Sequence, residues 1–228
     1  MGRTLLLLAC ILLSAAVAQG HEQAAGEHTV QVTGPADNWV YPLADPGTYA
    51  LPEIGKAANF ILLAEYGTKV SLSQLYTGKV TLLAFVYTRC GDVCPMASAY
   101  MAQVRQLSGS AGLSGVLGMI SLSFDPQYDT PARMREYAEG FRTEDPSLPP
   151  WRFLTAGDET AIAPVLSAYG QPVSRKREAS SPSGPLSHLL RVFLIDAGGS
   201  IRNIYSADFL DPRLVINDVL TLRLASPK

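Results

Sequence analysis

Cysteine is scarce in this chain. There are three in 228 residues, Cys10, Cys90 and Cys94, and so few in so long a chain exclude a disulfide-stapled scaffold. Histidine is scarce too, with only His21, His28 and His188. Neither sign of charge dominates: 18 basic side chains face 20 acidic ones, for a formal net charge of −2. That balance argues against a nucleic acid or an anionic membrane surface as partner. Long apolar runs are missing beyond the first residues, so no later segment reads as a membrane span. Internal repeats are absent as well.

What the N-terminus does have is a secretory pattern. "MGRTLLLLACILLSAAVAQG" carries one basic residue, Arg3, then an apolar run from Leu5 to Val17, then small residues at "AVA". This predicts an exported protein with a signal peptide over residues 1–18. Cleavage after Ala18 leaves 210 of the 228 residues and removes Cys10, so the mature chain keeps a single cysteine pair. The expected location is periplasmic or otherwise extracytoplasmic. An uncleaved membrane anchor is the less favoured alternative, and Cys10 lies too early for a lipoprotein site.

The remaining length suits one domain with a real core. Residues 19–58, rich in Ala, Gly and Pro, read as an irregular N-terminal arm, with His21 and His28 in it. From 59 to 225 the order is strand–helix alternation. "FILLA" (Phe60–Ala64) predicts a short strand, and "KVTLLAFVY" (Lys79–Tyr87) a central strand buried on both faces. A helix is expected from about Pro95 to Leu107, with Ala97, Met101 and Val104 on one face. "VLGMISLS" (Val116–Ser123) is a second buried strand, and Thr130-Pro131 opens another helix. "WRFLT" (Trp151–Thr155) is a strand, followed by a helix around Ile162–Tyr169 in which Pro164 predicts a kink or a late start. "SRKREASSPSGPLS" (Ser174–Ser187) reads as a long exposed loop whose basic run, Arg175-Lys176-Arg177, is a solvated face. "HLLRVFLID" returns to strand, "GGS" turns it into "IRNIYS", and Asp211-Pro212 opens a last helix. That order predicts a thioredoxin-like α/β fold: a central mixed sheet flanked by helices, with an irregular N-terminal arm.

The chemistry falls where the first long strand meets its helix. In "VYTRCGDVCPM" (Val86–Met96), Cys90 and Cys94 sit at the strand's C-terminal end and the helix's N-terminus. Unpaired N–H groups and the helix dipole favour thiolate there. Asp92, between them, works against a second anion and reads as a helix cap. Three residues separate the cysteines, one more than in a thioredoxin motif. The pair could therefore form a structural disulfide, a redox-active dithiol, or part of a soft-metal site.

Two thiolates are an incomplete site for most metals, and a third ligand is needed. In a thioredoxin fold the loop before the strand that opens the final hairpin faces the cysteine helix. This makes His188 the candidate, while Met96 reads as a packing residue. Two thiolates and an imidazole suit copper, whereas structural zinc normally takes four protein ligands.

Taken together, "FVYTRCGDVCP" (Phe85–Pro95), "SFDPQYDTPARMREYA" (Ser123–Ala138) and "HLLRVFLIDAGGSI" (His188–Ile201) resemble the Sco/SenC family of copper proteins, which serve cytochrome oxidase assembly. "LPEIGKAANFILLAEYGTKVSLSQLYTGKV" resembles that family's approach to its core, and the likeness covers most of residues 51–222. The resemblance implies one copper ion bound by Cys90, Cys94 and His188. It implies delivery to the dinuclear CuA centre of an oxidase, with the oxidase copper subunit or another copper carrier as partner. The alternative is thiol–disulfide exchange by the Cys90–Cys94 dithiol, reducing the cysteines of the target site. A peroxidase reading, using Thr88 and Arg89 beside an activated cysteine, is weaker, because strand alternation sends the two to opposite sides. Asp125 and Asp129 fall on the family's DPxxD pattern and read as turn and capping residues. Gly91 stands where the family often has proline, an expected loosening of the loop. A soluble or loosely membrane-associated monomer is expected.

Overall fold

The computed structural model describes residues 32–37, 42–178 and 181–225. The expected signal peptide, Cys10, His21 and His28 lie outside the described residues.

Strand β1 (Gly55–Lys56) is followed by β2 (Ile61–Ala64), β3 (Lys69–Ser71) and a short helix, α1 (Leu72–Tyr76). Gly67, in the left-handed region at φ 80°, makes the turn from β2 to β3. Strand β4 (Val80–Val86) is buried at every residue, as its unbroken apolar run requires of a strand covered on both faces. It leads through the cysteine loop into α2 (Val93–Ser110). Next come β5 (Leu117–Ser123), α3 (Pro131–Glu139), β6 (Trp151–Thr155) and α4 (Glu159–Ala168). The chain ends with β7 (Val173–Arg175), β8 (Leu186–His188), β9 (Val192–Ile195), β10 (Ser200–Tyr205) and α5 (Pro212–Ala225).

The main sheet runs β1-β10-β9-β4-β5-β6-β2-β3. Its centre, β4-β5-β6, is parallel, and β9 lies antiparallel against β4 with Leu83 opposite Phe193. Helices α2 and α5 pack against each other, and α3 packs on β6. Ala97, Met101 and Val104 of α2 are all fully buried, so the expected apolar face is the one that meets the core. Strand–helix alternation closed by a hairpin and a final helix is the thioredoxin-like order expected from the sequence.

Two local expectations are corrected. Residues 174–187 are not simply an exposed loop. β7 and β8 pair antiparallel in a two-stranded ribbon, with Val173 opposite His188, and residues 182–184 lie against the cysteine loop. The irregular N-terminal arm is held to the domain by single contacts. Gly47 N–H donates to the Thr221 hydroxyl at 2.9 Å, the Tyr49 phenol donates to Asp218 at 2.5 Å, and β1 joins the sheet edge on β10. Helix α4 starts earlier than predicted, capped by Asp158, which accepts from Ala161 N–H at 2.8 Å, so Pro164 lies inside it.

Candidate metal centre

The last residue of β4 is Val86. From there the chain leaves the sheet through Tyr87, Thr88 and Arg89, and it enters α2 at Val93. The helix begins two residues before Pro95, which therefore sits in the first turn, where its missing N–H is no loss. Asp92 occupies the N-cap position but makes no side-chain capping bond, so its expected capping role is not what the structure has. Cys94, on the first turn of α2, is fully buried, and Cys90 is only 7% exposed.

His188 ends β8, and the β7–β8 pairing brings it across to the cysteines. Its Nε2 lies 3.5 Å from Cys94 Sγ. The ligand atoms of Cys90, Cys94 and His188 all fall within 4.8 Å of one another. Donors held about 2.0–2.3 Å from a shared ion stand roughly 3.5–4 Å apart, so the group is positioned to bind one metal ion. The His188 ring is clamped by aromatics: Phe124 at 4.8 Å between centroids and Tyr87 edge-on at 5.8 Å. Its Nδ1 lies 3.1 Å from the Leu189 carbonyl oxygen. That oxygen can only accept, so Nδ1 carries the proton and Nε2 presents a lone pair toward the thiols.

The two thiols are unequal. Cys90 is held far below the ordinary thiol range, first by a hydrogen bond from the Cys94 thiol. Burial opposes the lowering, and the backbone N–H groups of Cys94 and Asp92 add to it. Cys94 N–H lies 3.5 Å from Cys90 Sγ. Cys94 is pushed up, because it gives that hydrogen bond to Cys90 and because it is buried. Cys90 is therefore the thiolate of the pair and Cys94 its proton-bearing partner.

The cysteine loop is fixed from two sides. On one, the DPxxD aspartates reach into it. Asp129, fully buried, accepts from Thr88 N–H at 3.0 Å, the Thr88 hydroxyl at 2.5 Å and the Ser123 hydroxyl at 2.5 Å. Asp125 pairs with the Arg89 guanidinium at 2.6 Å. The Asp125 carbonyl does make the expected turn, accepting from Tyr128 and Asp129 N–H. The helix cap, however, is Thr130, not either aspartate. Their side chains hold the two residues that precede Cys90. Thr88 and Arg89 are thereby engaged with these carboxylates.

On the other side lies residues 181–184. The Tyr87 phenol donates to the Ser183 and Leu186 carbonyls at 2.8 and 3.0 Å. A Cβ on Gly91 would fall well inside contact distance of the Pro182 carbonyl oxygen, and one on Gly184 would meet Arg89 O and the Tyr87 phenol. Gly184 also has φ 85°. Glycine at 91 thus lets two backbones touch, the opposite of the expected loosening. Met96 packs against the core as expected. Sequence reasoning singled out Cys90, Cys94 and His188, and the structure brings the three together. The same reasoning missed Tyr87 and Phe124 as the ring clamp, and the only signal available was their place at the ends of β4 and β5.

The sequence model of a family described as SCO1/SenC matches residues 52–222. The SCO1 protein homolog of Bacillus subtilis (strain 168) is 25% identical over 140 residues, covering 61% of this chain and 68% of that protein. Among solved structures, Bradyrhizobium japonicum ScoI with copper bound is 26% identical at a TM-score of 0.59, covering 72% of this chain and 97% of that one. A SCO1/SenC family lipoprotein from Bacillus anthracis str. Ames is 25% identical at a TM-score of 0.65, covering 78% and 100%.

Proposed function

The chain belongs to the SCO1/SenC family, and from that premise we propose that it is a copper-binding metallochaperone with one copper ion as its cargo. Cys90, Cys94 and His188 are the proposed ligands. The observation that carries the reading is their convergence, with the imidazole Nε2 turned toward a buried thiol at 3.5 Å. Thiolates favour soft Cu(I), and the added imidazole extends the site to Cu(II). The relative solved with copper bound supports the choice of metal.

The proposed destination is the dinuclear CuA centre of a cytochrome oxidase, through the oxidase copper subunit or an intermediate copper carrier. Cys90 and His188 are the less buried ligands and Cys94 the most buried one. An incoming thiolate therefore meets the ion on the Cys90–His188 side, and Cys94 lets go last. The working place is outside the cytoplasm, reached by the signal at residues 1–18, and the protein acts as a monomer. Among the described residues no helix is long and apolar enough to cross a membrane.

A second reading rests on the unequal thiols. A low-lying Cys90 beside a proton-bearing Cys94 is also what disulfide exchange uses, with Cys90 attacking and Cys94 resolving. His188→Ala separates the two readings. The variant is expected to lose the Cu(II) thiolate-to-copper absorption, retain Cu(I) better on two thiolates, and exchange disulfides at a rate within about threefold of wild type. An unchanged Cu(II) spectrum would remove His188 from the site and put the oxidoreductase reading ahead.

A further inference from the structure

The Leu189 carbonyl that sets the His188 tautomer has a second donor. Gln171 Nε2 lies 2.6 Å from the same oxygen. Because that oxygen only accepts, the contact also fixes which end of the Gln171 amide is nitrogen. Gln171 is 3% exposed, and among the described residues its Oε1 has no hydrogen-bond partner. An apolar side chain of similar length would fill this place without orphaning a buried oxygen. The amide is therefore explained by the carbonyl it holds, not by packing.

The amide is also carried on a stiff support. Gly170, at φ 56°, ends α4 in the left-handed region, and Gln171 N–H returns to the Leu166 carbonyl at 2.8 Å. Pro172 follows, which keeps Gln171 extended. The Arg191 guanidinium donates to the Gly170 carbonyl, so residues on both sides of Leu190 are tied to the same helix end.

We propose that Gln171 is a positioning residue for His188: it aims the Leu189 carbonyl, which keeps the imidazole in its Nδ1–H form with Nε2 free toward the cysteines. This rests on the reading of His188 as a ligand. A carbonyl with a single, movable donor holds the ring less firmly, and an imidazole left to itself favours the Nε2–H tautomer, which cannot bind a metal through Nε2. Groups that orient a ligating histidine from behind typically matter about 10–100-fold in metal affinity.

The test compares wild type, Gln171→Met and His188→Ala. Without metal, nitrogen NMR of the neutral His188 ring is expected to report Nδ1–H in wild type and a mixture with Nε2–H in Gln171→Met. With copper added, Gln171→Met is expected to bind Cu(II) about tenfold more weakly, with altered imidazole-nitrogen hyperfine coupling, and Cu(I) within about twofold of wild type. Its thermal midpoint should not fall, because an orphaned oxygen has been removed. A Gln171→Met protein with wild-type tautomer and wild-type Cu(II) coupling overturns the inference. If His188→Ala matches wild type in Cu(II) binding, the ligand reading falls first and the inference falls with it. If only His188→Ala weakens binding, the ligand reading stands and Gln171 has no positioning role.

Discussion

Replacing either Cys90 or Cys94 by alanine is expected to lower copper affinity at least about a hundredfold, more than the loss of a group that only orients a ligand. Oxidising the pair should have the same result, because a disulfide has no thiolate to offer. The two positions should still behave differently toward an alkylating reagent. Cys90 is held as thiolate by the Cys94 thiol, and Cys94 is fully buried with its proton retained. At neutral pH, iodoacetamide is expected to modify Cys90 first and Cys94 only after unfolding. Peptide mass spectrometry after timed alkylation reads the order, and competition with a copper chelator reads the affinities. Equal reactivity of the two thiols would contradict the assigned asymmetry. Full copper affinity in either variant would remove that cysteine from the site.

The second large effect is expected at Asp129. Its carboxylate is the shared acceptor for Thr88 N–H, the Thr88 hydroxyl and the Ser123 hydroxyl. The hydroxyls can turn to other partners, but the Thr88 N–H cannot. Asp129→Ala is expected to destabilise the fold by about 2–3 kcal/mol, lowering the melting midpoint by roughly 5–10 °C for a chain of this size. Copper binding should weaken too, since Thr88 stands two residues before Cys90.

The pH dependence of the conservative variant has a definite sign. Burial raises the Asp129 pKa above the ordinary 3.8, although hydrogen bonds from Ser123 and Thr88 oppose it. The native protein therefore holds this proton more tightly than the unfolded chain. The resulting stability is complete below 3.8 and is lost as pH rises through the raised value. Asp129→Asn keeps an acceptor for Thr88 N–H and has no proton to lose. Its stability relative to wild type should rise across that interval. Urea midpoints measured from pH 4 upward test this, and a difference that stays constant with pH would contradict it.

The parts of this molecule legible in the sequence are those written in periodicity and in rare residues. The run from Val80 to Val86 announces a strand covered on both faces, and it is buried throughout. Ala97, Met101 and Val104 announce the inner face of α2. Cys90, Cys94 and His188 stand out because so few residues of their kind exist, and the structure brings the three together. What was not legible depends on contacts between segments far apart in the chain. The strands β7 and β8 are three residues each, too short to show alternation, and they lie in a stretch whose Ser, Pro and Gly look like any loop. Gly91 is explained only by the Pro182 backbone that rests on it. Asp125 and Asp129 have the spacing of a turn, and a turn they make. That their side chains also hold Thr88 and Arg89 has no local signature, since the partners are about 40 residues away in sequence. The N-terminal approach shows no periodicity because single hydrogen bonds to α5, such as Tyr49 to Asp218, hold it there.

The claim that three residues form one copper site is tested most directly by X-ray absorption of the reduced, purified protein after copper loading, with the metal-to-protein ratio measured on the same sample. The account predicts one copper per chain, with two sulfur neighbours and one imidazole nitrogen at about 2.0–2.3 Å. A ratio near zero, or a single copper bound only by nitrogen and oxygen, would contradict it.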